Sequence, residues 1–263
     1  MRHISTQNRK LVNMFSKKII LFLVLSLVFS SDLNPIDIIN NSINRLNNID
    51  IEFESNIKQQ STVDNPVNYD LVFKAYWPII DSIYYYNYIK FNRPVDYKDI
   101  EIWSLYNSDT LIINKRLPID DKITSIEKDS DNADIINLFN FMQLFENIKD
   151  KNFSIKDSKI NDKDIFFIKA FSNKSKKKAT RIYIDKMNYA IYKIEWSDKK
   201  GRINKSIIFD DWVSIDGIDF SSKIIYEDIK NGSKITCKLD NINFNQIDDA
   251  NIKEIEAGFN FDK

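Results

Sequence analysis

The histidine, cysteine and glycine residues on which many catalytic and binding motifs depend are few and widely spaced in this chain. The 263 residues include one histidine, His3, one cysteine, Cys237, and four glycines. No two glycines lie close enough for a phosphate-binding loop or a dinucleotide-binding fingerprint. A lone cysteine cannot form an internal disulfide, a CxxC redox pair or a zinc knuckle. We therefore expect Cys237 to be a buried apolar residue of a strand.

Paired carboxylates, for example the acidic doublets at residues 210–211 and 248–249, are an indication of hydrolase chemistry. Glycosidase-like acid–base catalysis needs two carboxylates that face the same substrate. Adjacent residues on a strand point to opposite faces, so neither doublet forms such a pair by itself. The residues therefore give a secreted hydrolase only weak support.

The first thirty residues have the pattern of a secretory signal. Basic residues precede an apolar run of eleven residues, 19–29, and no acidic residue occurs before Asp32. This order, followed by a small residue at Ser30, is typical of a signal peptide, and the run is shorter than the roughly 20 residues of a membrane-spanning helix. We expect residues 1–30 to be a signal peptide and residues 31–263 to form a single domain. Retention of the segment as an uncleaved anchor is the alternative.

Removal of this segment changes the chemistry that is available. It takes away the only histidine and five basic residues but no acidic residue, so a precursor of zero net charge leaves a mature chain with five excess acidic residues. Without histidine, Ser-His-Asp and Cys-His mechanisms are excluded, and the commonest zinc ligand is missing. The charge balance argues against nucleic acid as a partner. We expect a binding protein with no cofactor and no metal rather than an enzyme.

The periodicity of the apolar residues predicts a mainly β (α+β) protein. Helical spacing predicts one helix over residues 34–47 and a second, central helix over about 130–149. Alternating apolar residues and short polar turns predict about twelve strands, which the short turns make antiparallel neighbours. A sheet of this size should curl. The predicted fold is a strongly curved antiparallel sheet or half-barrel covered by the N-terminal and the central helix.

The predicted strands fall into two groups on either side of the central helix. They are expected at 49–58, 69–76, 82–91, 100–106, 110–115, with a short addition at 122–128, and then at 152–157, 164–172, 180–185, 190–197, 204–213, 220–228 and 233–244. Residues 172–178, which include a run of lysines, are predicted to be a turn with a solvated basic tip.

Three local patterns are specific enough to compare with known families. In the first, a strand ends at Pro94, an apolar strand follows, and a hairpin leads to the basic Leu-Pro corner at 115–118. The second is the start of the central helix near 130–134. The third is a succession of hairpins from Ile184-Asp185 through Ile215-Asp216-Gly217 to Gly232-Ser-Lys-Ile-Thr. Together they resemble the outer-membrane lipoprotein-sorting protein family of the LolA-like and LolB-like superfamily.

The resemblance implies a monomeric, non-catalytic periplasmic protein that carries or binds lipoproteins or other acylated ligands of the bacterial cell envelope. It implies a concave apolar cavity for acyl chains and docking on an inner- or outer-membrane receptor. An acyl chain can be held there without directional contacts, because each methylene removed from water contributes about 0.8 kcal/mol. The alternative is an envelope sensor or scaffold that uses the same fold to bind a protein partner, which should leave an exposed apolar patch.

The cavity that the resemblance implies gives a role to the aromatic residues, which form 13% of the chain. The candidate residues of the cavity wall or its lid are Phe53, Phe73, Tyr85, Phe91, Trp103, Phe139, Met142, Phe145, Phe167, Tyr183 and Trp196. Arg93, next to a proline at the end of a strand, is the candidate for latching the lid or contacting a ligand head group.

Overall fold

The computed structural model describes residues 34–45, 50–60, 66–76, 85–106, 111–118, 120–125, 148, 150–244 and 253. The chain divides into two compact units, Met1–Ile38 and Ile39–Lys263. Only residues 34–38 of the first unit are described, and they begin a helix. The second unit holds the rest of that helix and every described strand. The predicted signal peptide lies outside the described residues.

Helix α1 spans Pro35–Asn44. Asn34 caps it, because its Oδ1 accepts a hydrogen bond from the backbone N–H of Ile36 at 3.1 Å. Pro35 occupies the first helical position, where its missing N–H costs no hydrogen bond. The predicted N-terminal helix is thereby confirmed.

The C-terminal half of α1 lies in the second unit and is tied to the sheet there. Ile39 is only 5% exposed and Ser42 only 3%. Directly after the helix, the guanidinium of Arg45 donates a hydrogen bond to the backbone carbonyl of Asp219. Burial lowers the pKa of Arg45, against the opposing influence of the Asp219 and Asp185 carboxylates.

Thirteen strands in the described part of the chain form one antiparallel sheet. They are β1 Asp50–Gln60, β2 Val67–Tyr76, β3 Tyr85–Arg93, β4 Glu101–Tyr106, β5 Leu111–Leu117, β6 Asp120–Ser125, β7 Asn152–Ile160, β8 Lys163–Ser172, β9 Ser175–Asp185, β10 Ile191–Ser197, β11 Ile203–Ile215, β12 Ile218–Asp228 and β13 Ser233–Phe244. The predicted antiparallel, mainly β architecture is confirmed. The predicted central helix lies, apart from Ile148, outside the described residues.

The order of the strands makes two meanders that meet in the middle of the sheet. It runs β6-β5-β4-β3-β2-β1-β13-β12-β11-β10-β9-β8-β7. Every neighbouring pair is consecutive in sequence except β1 and β13, which join the two meanders. The edges are β6 and β7, and the sheet is not closed between them.

The register of the strands divides the sheet into two faces of different composition. On β1, buried residues alternate with exposed Glu54, Asn56 and Lys58. Cross-strand partners lie on the same face of a sheet, so the buried residues of β1 and their partners on neighbouring strands share one face. We call it the apolar face, and we call the other side of the sheet the opposite face. Members of the apolar face, all buried, include Ile51, Phe53, Ser55, Ile57, Leu71, Phe73, Ile89, Phe91, Ile102, Ile168, Ile182, Ile194, Ile207, Ile224, Cys237 and Leu239.

One predicted turn is wrong in its extent. The β8–β9 turn occupies only residues 173–174, and the lysines at 176–178 belong to strand β9. The Ser197 hydroxyl holds this segment, because it donates to the carbonyl of Lys177 at 2.6 Å and accepts from the N–H of Ala179 at 3.1 Å. The lysine side chains are exposed, so a strand accommodates them as readily as a turn.

Candidate functional site

The densest aromatic part of the apolar face lies on β1, β2 and β3. Phe53 and Phe73 are direct cross-strand partners, and their rings stack with centroids 4.6 Å apart and an interplanar angle of 18°. Phe91 follows on β3 and forms an edge-to-face pair with Tyr69, with the ring centroids 6.0 Å apart. The three phenylalanines are at most 2% exposed. The structure therefore brings Phe53, Phe73 and Phe91 together as one apolar surface.

Trp196 lies on the same face but in the C-terminal meander. It pairs with Thr180 of β9 and Lys205 of β11 and follows the alternation of buried Ile194. It is half-buried. Beside it, the Lys205 ammonium lies 3.2 Å from the Asp228 carboxylate, so this end of the apolar face has an ion pair at its border.

Three other candidates lie on the opposite face, away from this aromatic surface. Trp103 is the cross-strand partner of Tyr88, and their ring centroids are 5.8 Å apart. Phe167 and Tyr183 are also cross-strand partners, with centroids 5.0 Å apart. Their aromatic character led to the prediction that they line an apolar cavity. The strand register shows that their side chains lie on the other side of the sheet from the apolar face.

Tyr183 belongs to a buried polar cluster centred on Glu195. Its hydroxyl donates to Glu195 Oε2 at 2.9 Å, and the Lys193 ammonium lies 2.7 Å from Glu195 Oε1. Arg181 is 3.8 Å from the same carboxylate. Burial, together with the hydrogen bond to Glu195, raises the pKa of Tyr183 to about 12. The tyrosine is therefore a neutral donor to a carboxylate rather than part of an acyl-chain surface.

Arg93 also lies on the opposite face. It is the cross-strand partner of Asp70, its Nε is 3.3 Å from Asp70 Oδ2, and its side chain is 78% exposed. The peptide bond between Arg93 and Pro94 is cis. The structure thus gives Arg93 a surface ion pair on the face remote from Phe53 and Phe73.

The remaining candidates fall outside what the structure describes. Phe139, Met142 and Phe145 lie outside the described residues. Tyr85 begins strand β3, and its side chain is outside the described part. Their assignment to a cavity or lid stays a prediction from the sequence.

Two polar residues lie on the apolar face and are not among the residues predicted from the sequence. Asn87 of β3 and Ser104 of β4 are cross-strand partners, and Asn87 Nδ2 donates to Ser104 Oγ at 3.1 Å. The sequence does carry a signal for them, because Asn87 continues the alternation of Ile89 and Phe91. A polar residue in phase with a buried stripe indicates a specific hydrogen-bonding role.

Neither a metal cluster nor a membrane span is found in the described residues. Within them, no three His, Cys, Asp or Glu side chains lie together in a way that could hold a metal ion. No helix within the same ranges combines the length and the apolar character needed to cross a membrane.

Comparison with solved structures shows that the fold is LolA-like. A domain of an outer membrane lipoprotein-sorting protein from Vibrio parahaemolyticus matches with a TM-score of 0.66 and 13% identity over 84% of this chain and 97% of that one. A DUF1329 family protein from Desulfovibrio piger matches with a TM-score of 0.65 and 15% identity over 81% and 95%. A LolA superfamily protein from Nitrosomonas europaea matches with a TM-score of 0.55 and 13% identity over 81% and 94%. At such identities the likeness establishes the curved sheet and not the activity.

Comparison by sequence identifies a family but no characterised relative. No curated protein matches the chain. A family model whose description reads "Uncharacterized protein" matches residues 117–253, which is slightly more than half of the chain. The chain therefore belongs to that family, and its open, curved antiparallel sheet is the fold of the LolA-like proteins.

Proposed function

We propose that the protein is a non-catalytic binder and carrier of acylated ligands, above all lipoproteins, in the bacterial cell envelope. The observation that carries the proposal is the continuous apolar face of an open sheet, with Phe53, Phe73 and Phe91 at its aromatic centre. Each methylene of an acyl chain that leaves water for such a surface contributes about 0.8 kcal/mol, without any directional contact. The LolA-like fold and the signal-like N-terminal sequence support a periplasmic location.

The contacts that we propose follow the apolar face. They are Phe53, Phe73, Phe91 and Trp196, with Tyr85, Phe139, Met142 and Phe145 retained from the sequence as wall or lid residues. Trp103, Phe167, Tyr183 and Arg93 are left out of the proposed contact set, because they lie on the opposite face.

Exposure separates the proposed contacts into two groups. The three phenylalanines are at most 2% exposed, so an acyl chain reaches them only after the groups that cover them move aside. Trp196 is half-buried and is reachable from solvent without such a movement. We therefore propose that Trp196 is the accessible reporter of ligand binding on this face.

Tryptophan quenching by a brominated dodecanoate tests this function, because bromine quenches indole fluorescence on contact. We expect saturable quenching of the purified wild-type protein at micromolar probe, and loss of most of it in Trp196→Phe. Trp103→Phe is the matched control, because Trp103 lies on the opposite face and its removal should leave the quenching curve unchanged.

Two results would overturn the proposal. One is the absence of saturable quenching in wild type at micromolar probe together with the absence of copurified acylated molecules in native mass spectra. The other is quenching that survives Trp196→Phe and disappears in Trp103→Phe, since this would place the acyl chain on the opposite face.

A further inference from the structure

The apolar face carries a polar pair whose hydrogen bonding is incomplete. Asn87 is 4% exposed and Ser104 is 2% exposed. The amide Nδ2 of Asn87 donates to Ser104 Oγ at 3.1 Å, but Asn87 Oδ1 is buried and accepts no hydrogen bond from any described residue. An unpaired carbonyl oxygen in a protein interior is unfavourable and uncommon, so its presence calls for a physical reason.

The pair lies directly beside the aromatic part of the apolar face. Asn87 faces Ala75 of β2, and the next pair along the same two strands on this face is Phe73 with Ile89. Ala75 has no side-chain donor that could satisfy the amide oxygen. A polar group is therefore placed next to a surface that is otherwise suited to hydrocarbon.

The unpaired end of the Asn87 side chain determines which chemical group could form a hydrogen bond with it. Reversing the Asn87 amide would let Ser104 donate to the oxygen, and the nitrogen would then be the unpaired end. In either orientation one end of the side chain lacks a partner among the described residues. A secondary amide offers both an N–H donor and a C=O acceptor, so it complements either arrangement, whereas a bare hydrocarbon chain complements neither.

We propose that Asn87 binds the amide linkage of an N-acylated ligand whose acyl chain lies along Phe73 and Ile89. This inference rests on the proposed function, because it names the ligand class of the same face. Hydrocarbon burial supplies affinity for any acyl chain, and Asn87 supplies discrimination in favour of a chain attached through nitrogen. A site built to hydrogen-bond an N–H rejects an analogue that lacks it, because its own polar group is then left unpaired.

A matched pair of ligands tests the proposal with the full-length purified protein. The probes are N-dodecanoylglycine methyl ester and its depsi analogue, in which the amide N–H is replaced by an ester oxygen. Isothermal titration calorimetry of wild type should give a dissociation constant for the amide about tenfold below that for the ester, as one hydrogen bond to a buried acceptor predicts. The two probes have the same hydrocarbon chain, so their ratio isolates the linkage.

The variant Asn87→Leu removes the amide and keeps a side chain of similar shape. We expect it to bind both probes with the same affinity, because the group that distinguishes the amide from the ester is gone. Ser55→Ala is the matched control on the same face, since the Ser55 hydroxyl is already paired with Cys237 Sγ at 2.8 Å and the Lys238 carbonyl at 3.1 Å. It should keep the tenfold ratio.

The outcomes separate this proposal from the one on which it rests. Binding of both probes by wild type with a ratio near one would overturn the role of Asn87 and leave acyl binding intact. A tenfold ratio that persists in Asn87→Leu would also overturn it. Binding of neither probe would overturn the proposed function and this inference with it. If Asn87→Leu failed to fold, the ratio measured for wild type would decide alone.

Discussion

The Glu195 carboxylate shows how individual residues on the opposite face are stabilised although they are buried. It is 8% exposed, and a buried carboxylate is tolerated only when donors and cations surround it. The Tyr183 hydroxyl and the Lys193 ammonium supply them at 2.9 and 2.7 Å. Cys237, in contrast, is buried in its neutral form, because burial raises the pKa of its thiol to about 12. It is thus a neutral packing residue, as its place in the sequence predicts.

The Tyr183–Glu195 pair makes stability depend on pH in the alkaline range. The folded pKa of Tyr183, about 12, lies above its ordinary value of 10.0, so the folded state keeps a proton that the unfolded chain releases. Its contribution to the free energy of unfolding is complete below pH 10 and is lost as the pH rises towards 12. We expect Tyr183→Phe to lose less stability than wild type over that interval.

Urea unfolding at several pH values from about 9 to 12 measures this difference. The comparison between the two proteins cancels the contribution of every other ionisable group. Parallel stability curves for wild type and Tyr183→Phe would show that burial and the hydrogen bond to Glu195 do not raise the pKa of Tyr183 in the folded state.

At the scale of elements, the β11–β12 hairpin is set by two residues with left-handed backbone conformation. Asp216 has φ 52° and Gly217 has φ 79°, and Ile215 pairs with Ile218 on either side of them. Two successive positive φ values are typical of the type I′ turn, which matches the twist of an antiparallel hairpin. A Cβ added at Gly217 would have no neighbour within 4 Å, so any cost of substitution there comes from the backbone alone.

This isolates a backbone effect that substitutions at Gly217 can measure. Gly217→Ala should lower the free energy of unfolding by about 1 kcal/mol, because an alanine is strained at this φ. Gly217→Asn should lower it less, because asparagine tolerates the left-handed region. Chemical denaturation of the two variants and wild type checks the order, and an alanine variant as stable as wild type would contradict it.

The strands themselves are predictable from the sequence wherever alternation and turn residues agree. Strand β13 is predicted at 233–244 and runs over Ser233–Phe244, because Gly232 ends the turn before it and buried Ile235, Cys237 and Leu239 alternate along it. The predicted start of β9 is wrong, because lysines indicate exposure and do not distinguish an exposed strand from a turn.

The candidate site is less predictable than the strands, for a physical reason. Whether Trp103 shares a face with Phe73 depends on the register between strands, and a shift of one residue reverses the answer. Residue type gives no information about that register. Asn87 is not among the predicted site residues. The prediction selected mainly aromatic and apolar side chains, so it excluded a polar residue that lies on the same face.

At the scale of the whole sheet, the described strands are joined in the middle by the pairing of the first strand with the last. Residues Ile51–Gln60 of β1 pair antiparallel with β13 over Lys234–Phe244, and a bulge at Glu52–Glu54 interrupts the register. Each remaining pair joins strands that are neighbours in sequence. The two meanders are thus separate in the chain, and within the described residues β1–β13 is the strand pairing that joins them, which we call the seam; the hydrogen bond from Arg45 to Asp219 adds a contact between the two halves.

A chain divided between the two meanders should therefore reassemble. We expect fragments 1–130 and 131–263, produced together, to copurify as a complex, because the β1–β13 seam lies at the centre of the sheet and is unaffected by the division. Affinity purification through a tag on one fragment, followed by mass spectrometry, measures this. Deleting residues 233–263 from the second fragment removes β13 and should greatly reduce copurification, and undiminished recovery of the truncated fragment would show that the seam is not the main contact between the halves.

The central seam also sets the order in which the chain can fold. Hairpins within each meander need only local contacts and can form as soon as their two strands exist, whereas Ser55 meets Cys237 across 182 positions of sequence. A chain that emerges from the ribosome amino end first thus holds β1 without β13 until residues 233–244 have been made. Contacts of such high contact order are slow to form, so the sheet is completed only after both meanders have been synthesised. Until then β1 is paired on one side only, with β2, and its other edge stays open to any strand that reaches it.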